Sequence, residues 1–270
     1  MPELPEVETT RRGLVPLLCG TRIIALVVRD RRLRWPIAPQ LETLLPGRTI
    51  ARIDRRGKYL LLDLGEGSLI IHLGMSGSLQ MVATRKPPGP WDPFDIVVTG
   101  GQCLRMRDPR RFGALLYTED RPHHPLLRHL GPEPLEPEFS GAYLYHRARG
   151  RRIAIRDFLL NGQIVAGIGN IYANEALFSA GIHPGRAAGR ISRTRYDTLA
   201  AAIVAVLNRA IAVGGTTLKD FSGSDGRPGY FQQQLQVYGR AGDPCLGCGT
   251  QIVRLSHLTR SSYYCPHCQR

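Results

Sequence analysis

Residues 245–268 read CLGCGTQIVRLSHLTRSSYYCPHC, and their four cysteines decide how the end of the chain folds. These cysteines form two Cys-x2-Cys pairs, Cys245 with Cys248 and Cys265 with Cys268. The spacing is typical of a structural zinc site, because each pair makes a turn and four thiolates leave no open position for water. So short a segment has too small a core to fold alone, and zinc binding would supply its folding free energy. We therefore expect a zinc-finger β-hairpin at 241–270 that holds one structural Zn2+.

The remaining cysteines, Cys19 and Cys103, lie alone and far apart in the sequence. In a reducing compartment this usage favours a metal site over its alternatives, which are two disulfides or four free thiols. Between the two cysteine pairs the chain carries basic and hydroxyl side chains, namely Arg254, His257, Thr259 and Arg260. They suit a phosphate ligand, although a solvated hairpin would have the same composition.

The 270-residue chain has the composition of a globular protein, with 43% hydrophobic and 21% charged residues. This composition argues against a disordered or fibrous chain. The formal net charge of +14 indicates a polyanionic partner, of which nucleic acid is the most common. The longest apolar run, Leu199–Leu207, has about half the length that a membrane crossing needs, and the acidic start Pro2–Glu8 is unlike a secretory signal. We therefore expect a cytoplasmic protein without a membrane segment.

The first part of the chain reads as short strands separated by Gly and Pro. Strands are expected at Thr21–Arg29, Thr49–Asp54, Lys58–Leu64, Ser68–Leu73, Asp95–Thr99, Cys103–Arg107 and Ala114–Thr118. Ahead of them, Pro5–Leu18 is expected to be a helix, with proline and acidic residues in its first turn. Several short strands with frequent turns predict a β-sandwich or barrel.

A Pro-rich acidic stretch at 131–141 interrupts this pattern and predicts a domain boundary. Helices are expected beyond it, at Ile153–Leu160, Ile171–Ala180 and Arg193–Val213. The Gly-, Ser- and Asp-rich segment at 216–231 lacks periodicity and predicts an exposed loop. The expected order is a first domain at 1–133, a linker at 134–150, a helical domain at 151–240 and the zinc finger at 241–270.

The N-terminus offers a candidate nucleophile. Pro2 follows the initiator methionine, and so small a second residue usually allows Met1 to be removed, which would expose a secondary amine. An α-amine has a pKa of about 7.7 to 8.0, so part of it is neutral and nucleophilic near neutral pH. Glu3 and Glu6 lie beside it and could move protons. An ordinary helix start is the alternative, and composition alone favours that alternative.

Lysine is rare in this chain, which makes one position notable. Only three of the 36 basic residues are lysine, and Lys58 is one of them, within Arg55–Tyr59. Lysine can lose its proton at a tuned pKa, whereas arginine remains charged. Lys58 is therefore a candidate acid or base, with an exposed lysine at a strand end as the alternative.

Motifs along nearly the whole chain closely resemble the formamidopyrimidine-DNA glycosylase family, bacterial repair enzymes for oxidised purines. They are PELPEVET at 2–9, RGKYLL at 56–61, IHLGMSG at 71–77, DPRRFG at 108–113, GIGNIYA at 167–173, GGTTLKDF at 214–221 and the cysteine pairs. The resemblance implies an α+β multidomain fold: an N-terminal β-sandwich with flanking helices, a helix-two-turn-helix domain and a C-terminal zinc-finger β-hairpin. It also reverses the preference for an ordinary helix start at Pro2.

The resemblance implies a bifunctional DNA glycosylase and AP lyase that works through an imine. Pro2 would attack C1′ of the damaged nucleotide and displace the base, and Glu3 would protonate the sugar as its ring opens. Lys58 would be the proton donor of the first elimination, and Arg260 that of the second. The product would be a one-nucleotide gap with phosphate at both ends.

The resemblance also gives DNA-binding roles to residues that would otherwise be unremarkable. A target base must leave the duplex before C1′ can be reached, and Met75, Arg110 and Phe112 would fill the space that it vacates. Composition alone would make Met75 and Phe112 core residues. Asn170, at a helix start, would bind phosphate, and so would Arg151 and Arg152, although a charge run is more often a solvated face. The loop at 216–231 would be the lesion loop.

The chain departs from the family's pattern at three places. Trp91–Phe94 stands where relatives often have a His-rich DNA contact, which puts that contact in doubt; Pro93 lies within it. Arg156 replaces a lysine and keeps its charge, whereas Asn161 replaces an aspartate and loses one. Phosphate binding is therefore expected to survive these changes.

Two other functions stay open on the sequence. An enzyme like endonuclease VIII would prefer oxidised pyrimidines, but its usual opening has Gly where this chain has Leu4. A catalytically silent DNA-binding protein would keep the zinc hairpin but would not need Pro2, Glu3 and Lys58. The expected partner is double-stranded DNA with oxidised bases or abasic sites, bound by a monomer in the bacterial cytoplasm at the nucleoid.

Overall fold

The structure, a computed structural model, describes residues 1–215, 234–257 and 260–270. Most of this chain divides into two units, one of Met1–Arg128 with 213–215, the other of His129–Ala212 with the described residues after 233. The expected lesion loop at 216–231 and Thr259 lie outside the described residues. Among the described helices, none combines the length and apolar character that a bilayer crossing would require.

The first unit contains two antiparallel four-stranded sheets. One has the order β1-β6-β7-β5 and the other β2-β3-β4-β8. The strands are β1 Ile23–Val28, β2 Arg52–Arg56, β3 Tyr59–Asp63, β4 Ser68–His72, β5 Ser78–Ala83, β6 Phe94–Val98, β7 Gln102–Arg107 and β8 Ala114–Thr118. Both sheets contribute to one apolar cluster, so the expected sandwich is confirmed.

The sandwich core explains the strand positions. Leu60 and Leu62 of β3 and Ile71 of β4 come from one sheet, and Phe94 and Leu104 come from the other; all are fully buried. Helix α1, Leu4–Leu18, adds Val7, Leu14 and Leu18 to the same cluster, and a short helix α2 spans Leu41–Leu44. Burial of a leucine side chain contributes about 1.5 to 3 kcal/mol, so this cluster is the main source of stability in the unit.

Strand β5 was not among the strands expected from the sequence. Its residues Ser78 and Leu79 are buried, but the other four are only half-buried, because β5 lies at a sheet edge and, within the described part of the chain, pairs with β7 alone. An edge strand does not need the continuous apolar pattern that marks an internal strand.

The second unit is helical. Its helices are α3 Gly141–Ala148, α4 Ile155–Leu160, α5 Asn170–Ser179 and α6 Arg193–Ala212, with a short 3-10 helix at Ala188–Arg190. Three of the four helices match expected ones. Helix α3 lies inside the stretch expected as a linker at 134–150, and the Ser140 hydroxyl caps it by accepting the Tyr143 N–H at 3.1 Å. The prolines before it hid this start signal in the sequence.

The end of the chain forms the expected hairpin. Strands β9, Val253–His257, and β10, Arg260–Tyr264, pair antiparallel, with Arg260 opposite His257 and Tyr264 opposite Val253. Among the described residues, its buried apolar cluster consists of Val237, Cys245, Ile252 and Cys265, with Phe178, Tyr263 and Cys268 partly buried against it.

Candidate functional site

The start of the chain is buried at the first turn of α1. Pro2 is buried, and Glu3 and Glu6 are each only 2% exposed. The Glu3 N–H donates to the Glu6 carboxylate at 2.8 Å, which satisfies a backbone donor that the helix itself leaves without an acceptor. The reciprocal capping by Glu3 and Glu6 therefore fixes both carboxylates at the first turn of α1, directly after Pro2 in the sequence.

This environment favours a neutral amine. Burial lowers the pKa of the Met1 ammonium below its ordinary value, while the carboxylates of Glu3 and Glu6 act in the opposite direction. The positive charges of Lys58 and Arg110 lower the pKa further. An amine that becomes neutral more easily is a better nucleophile.

Lys58 lies in the tight turn between β2 and β3, where Gly57 has a φ of 57° that glycine adopts without strain. On the neighbouring strand β4, the ring of His72 lies 4.9 Å from that of Tyr59. Burial, followed by the charges of Lys58 and Arg34, lowers the pKa of His72 to about 4. A neutral His72 accepts the Gly74 N–H at Nδ1, at 2.9 Å. No role was expected for His72 from the sequence, although His72 lies within the IHLGMSG motif.

Two adjacent loops carry the residues that were expected to fill the vacated space in DNA. Met75 is 40% exposed and Phe112 is 44% exposed, so neither is a core residue. The Arg110 guanidinium lies 5.1 Å from the centre of the Phe112 ring. The loops are in close contact, because a Cβ on Gly74 would lie 2.4 Å from the Phe112 carbonyl carbon. The three side chains therefore form an exposed apolar and cationic surface.

Asp108 connects these two loops. It is only 1% exposed, and its carboxylate accepts the Gly113 N–H at 2.7 Å and the Ser76 hydroxyl at 3.3 Å. Burial raises the pKa of Asp108, against the effect of these hydrogen bonds. This role of Asp108 was not expected from the sequence, although an aspartate before Pro-Arg is a recognisable turn signal.

The other candidate residues lie in the second unit. Arg151 and Arg152 are exposed just before α4, and Asn170 is the first residue of α5. The Asn170 side-chain amide donates to the Ser261 carbonyl at 2.9 Å, so it holds the zinc hairpin as well as lying at a helix start. Arg260 is exposed at the first residue of β10.

Arg156 differs from the expectation for it. From the sequence we expected that phosphate binding would survive the replacement of lysine by Arg156, but the residue is only 3% exposed. Its guanidinium donates to the Asp157 carboxylate at 2.9 Å and to the Arg260 carbonyl at 3.3 Å. A guanidinium buried against such partners is not a surface phosphate ligand.

The four cysteines of the zinc finger fit a metal ion. Their Sγ atoms all lie within 4.8 Å of one another. Neighbouring sulfur atoms are 3.4 Å apart for Cys248 and Cys268, 3.5 Å for Cys248 and Cys265, and 4.0 Å for Cys245 and Cys268. A tetrahedral zinc with Zn–S bonds of about 2.3 Å separates its sulfur ligands by about 3.8 Å. The donor set therefore suits one structural zinc.

The structure thus brings Glu3, Glu6, Lys58 and Arg110, all in the first unit, close enough to the Met1 amine to influence its pKa. Pro2 is the residue next to that amine in the sequence. A buried amine beside carboxylates, in a strongly basic chain with a zinc finger, defines the class of enzymes that act on nucleic acid through an N-terminal amine.

Comparison with known proteins gives the particular family. The model of the formamidopyrimidine-DNA glycosylase N-terminal domain matches residues 1–115, that of the family's H2TH domain matches 130–222, and the zinc finger found in FPG and IleRS matches 242–270. Formamidopyrimidine-DNA glycosylase from Syntrophotalea carbinolica is 55% identical over the full length of both chains.

Two solved structures of Lactococcus lactis Fpg have the same fold. A variant in complex with Fapy-dG-containing DNA has a TM-score of 0.92 at 34% identity and covers 100% of both chains. A complex with DNA that contains an abasic site has a TM-score of 0.90 at 33% identity and covers 99% of both. The chain belongs to the formamidopyrimidine-DNA glycosylase family. It is therefore an enzyme of DNA base excision repair, with glycosylase and AP lyase activity.

Proposed function

We propose that this chain removes oxidised purines such as 8-oxoguanine and formamidopyrimidines from double-stranded DNA, and that Pro2 is its nucleophile. The observation that carries the proposal is the buried chain start, where Glu3, Glu6, Lys58 and Arg110 lie close enough to the Met1 amine to shift its pKa. Removal of Met1 would leave the Pro2 amine as the chain start, one residue further along. The Lactococcus relatives bind DNA with Fapy-dG or an abasic site, which supports the substrate class.

The first step joins the protein to the sugar. After Met1 is removed, the Pro2 nitrogen attacks C1′, the bond from C1′ to the base breaks, and the base leaves with a proton. Glu3 protonates the ring oxygen as the sugar opens. A secondary amine then gives a permanently cationic iminium, which attracts electrons from the sugar and allows elimination.

Two eliminations follow. In the first, a proton leaves C2′ and the phosphate leaves C3′, with Lys58 as proton donor. In the second, a proton leaves C4′ and the phosphate leaves C5′, with Arg260 as proton donor. The result is a one-nucleotide gap that has phosphate at both ends.

The exposed surface of Met75, Arg110 and Phe112 supports base extrusion. Turning a nucleotide out of the duplex costs a few kcal/mol, and inserted side chains offset part of that cost. Met75 and Phe112 would occupy the vacated stack, and the Arg110 guanidinium would bind the unpaired cytosine. The cation–aromatic contact between Arg110 and Phe112 keeps both on the same side of their loop.

Backbone binding falls to the second unit. Arg151 and Arg152 are exposed cations, and Asn170 lies at a helix start, where backbone N–H groups favour phosphate. One zinc ion held by the four cysteines would supply folding free energy to the hairpin that carries Arg260. The proposed chemistry needs one copy of the chain, so we propose that a monomer acts, in the bacterial cytoplasm on nucleoid DNA.

Borohydride trapping tests this proposal, because it reduces an imine to a stable protein–DNA bond. Duplexes with 8-oxoguanine, thymine glycol or an abasic site are incubated with the wild-type chain, Pro2→Gly and Pro16→Ala. Pro16 lies in the same helix but is exposed, so it serves as the matched control. We expect Pro2→Gly to slow 8-oxoguanine removal by about 100-fold or more with little change in duplex affinity.

Each other outcome has a clear meaning. If no duplex is trapped, the chain is a catalytically silent DNA-binding protein. A preference for thymine glycol would indicate a pyrimidine-directed enzyme. An unchanged rate for Pro2→Gly would show that another residue is the nucleophile.

A further inference from the structure

Side chains from two helices hold the backbone of strand β10 next to Arg260. Arg156 of α4 donates to the Arg260 carbonyl at 3.3 Å, and Asn170 of α5 donates to the Ser261 carbonyl at 2.9 Å. The Tyr263 N–H donates to the Asn174 side-chain oxygen at 2.7 Å. Three contacts within four residues define the position of this strand at its start.

Arg156 is suited to act as the fixed point of this set. It is 3% exposed, and its Nε atom donates to the Asp157 carboxylate at 2.9 Å. Its backbone N–H donates to the Pro184 carbonyl at 3.2 Å, which attaches this part of α4 to a second segment. A buried guanidinium is stable only with such partners, and its planar geometry then fixes the direction of the remaining donor. That donor is the one on the Arg260 carbonyl.

We propose that Arg156 is a positioning residue for Arg260 in the second elimination. The inference rests on the proposed role of Arg260 and extends it. The Arg260 side chain is exposed, but its backbone position is defined because Arg156 donates a hydrogen bond to the carbonyl of the same residue. Loss of that contact would let the guanidinium move away from the phosphate that leaves C5′, whereas base removal depends on Pro2 and Glu3.

The test separates the two eliminations on an abasic duplex in single-turnover reactions. The first elimination leaves an unsaturated aldehyde at the 3′ end, the second leaves a 3′ phosphate, and a denaturing gel resolves them. We expect Arg156→Met to reduce the rate of the second elimination about tenfold, because small displacements of a catalytic group have large rate effects. Removal of 8-oxoguanine should stay within about twofold.

Arg195→Met is the matched control. Arg195 also belongs to the second unit and also donates to backbone carbonyls, those of Gly181 at 2.8 Å and Arg270 at 2.9 Å. Both of these acceptors lie outside β10, so the ratio of aldehyde to 3′ phosphate should equal that of the wild-type chain. An equal loss of the second elimination in this control would show a general structural effect and would overturn the proposal.

Arg260→Ala distinguishes failure of the inference from failure of the proposed function. If Arg260→Ala keeps the second elimination, the role of Arg260 is wrong. If Arg260→Ala loses that step but Arg156→Met keeps it, only the positioning role is wrong. Should Arg156→Met lose its zinc or fail to fold, Arg156→Gln carries the test. The glutamine keeps one amide donor group but lacks the planar guanidinium with its several donors, so a product ratio equal to wild type would overturn the proposal and a shift toward the aldehyde would support it.

Discussion

The β-sandwich and the zinc hairpin carry the two ends of the proposed chemistry, but different forces stabilise them. Among the residues that the structure describes, the sandwich has a cluster of 24 buried apolar residues, whereas the cluster at the hairpin has four, two of which are cysteines. The groups around Pro2 therefore depend on hydrophobic burial, and Arg260 depends on metal ligation and on hydrogen bonds from α4 and α5. Substitutions that weaken either the hydrophobic core or the zinc site should therefore affect one of these regions and not the other.

Loss of zinc should have the largest effect, and only on the hairpin. Cys265→Ser removes one of four ligands, and zinc ligation supplies about 10 kcal/mol or more of folding free energy in zinc-finger peptides. We expect amide hydrogen exchange to become fast in β9 and β10 and duplex affinity to fall steeply, while β3 and β4 stay protected. Equal protection of all four strands without bound zinc would contradict the comparison.

A cavity in the sandwich should destabilise the first unit and leave the zinc hairpin unaffected. Phe94 is fully buried, so Phe94→Ala should lower the free energy of unfolding by about 3 to 5 kcal/mol without changing zinc content. Val27→Ala is the control, since Val27 is 42% exposed and its truncation should change that free energy by less than about 0.5 kcal/mol. Urea unfolding measures both. Similar losses in the two variants would refute the claim that burial stabilises this unit.

A charge cluster adds a pH-dependent contribution to the sandwich unit. Burial alone would raise the pKa of Glu8, but hydrogen bonds from Arg11 and Arg12, with the charge of Arg55, lower it from 4.5 to about 2. The folded-state pKa is depressed, so this stabilisation is present above about pH 4.5 and is lost as the pH falls toward 2.

Glu8→Gln should therefore reduce the free energy of unfolding at pH 6 by up to about 3 kcal/mol, and much less at pH 2.5. Glu119→Gln, at an exposed residue, should leave both values unchanged. Denaturant titrations at the two pH values provide the measurement. A Glu8→Gln effect of the same size at both would exclude the proposed charge contribution.

The smallest effect should come from the cap of α3. Ser140→Ala removes the hydroxyl that accepts the Tyr143 N–H, which should cost about 1 kcal/mol. Ser140→Thr keeps an acceptor and should retain most of the stability. Thermal unfolding of both variants measures the difference, and an unchanged Tm in Ser140→Ala would show that the cap contributes nothing to the second unit.

Features that depend on a local sequence pattern could be predicted from the sequence. The cysteine spacing identified the zinc finger, and alternating apolar residues identified the internal strands. It did not predict β5 or α3, because an edge strand has a weak apolar pattern and the prolines before Ser140 obscured the helix start. The contacts of Arg156 and Asp108 depend on partners that lie far away along the chain, such as Arg260 and Ser76, and no local pattern reports such a partner.

Peptide mapping of the borohydride-reduced adduct shows which residue is bonded to the sugar. The chain is trapped on an 8-oxoguanine duplex, digested with nuclease and protease, and examined by mass spectrometry. We expect a deoxyribose remnant on the proline nitrogen of a first peptide that lacks Met1. A remnant on Lys58 or on any later peptide would contradict it.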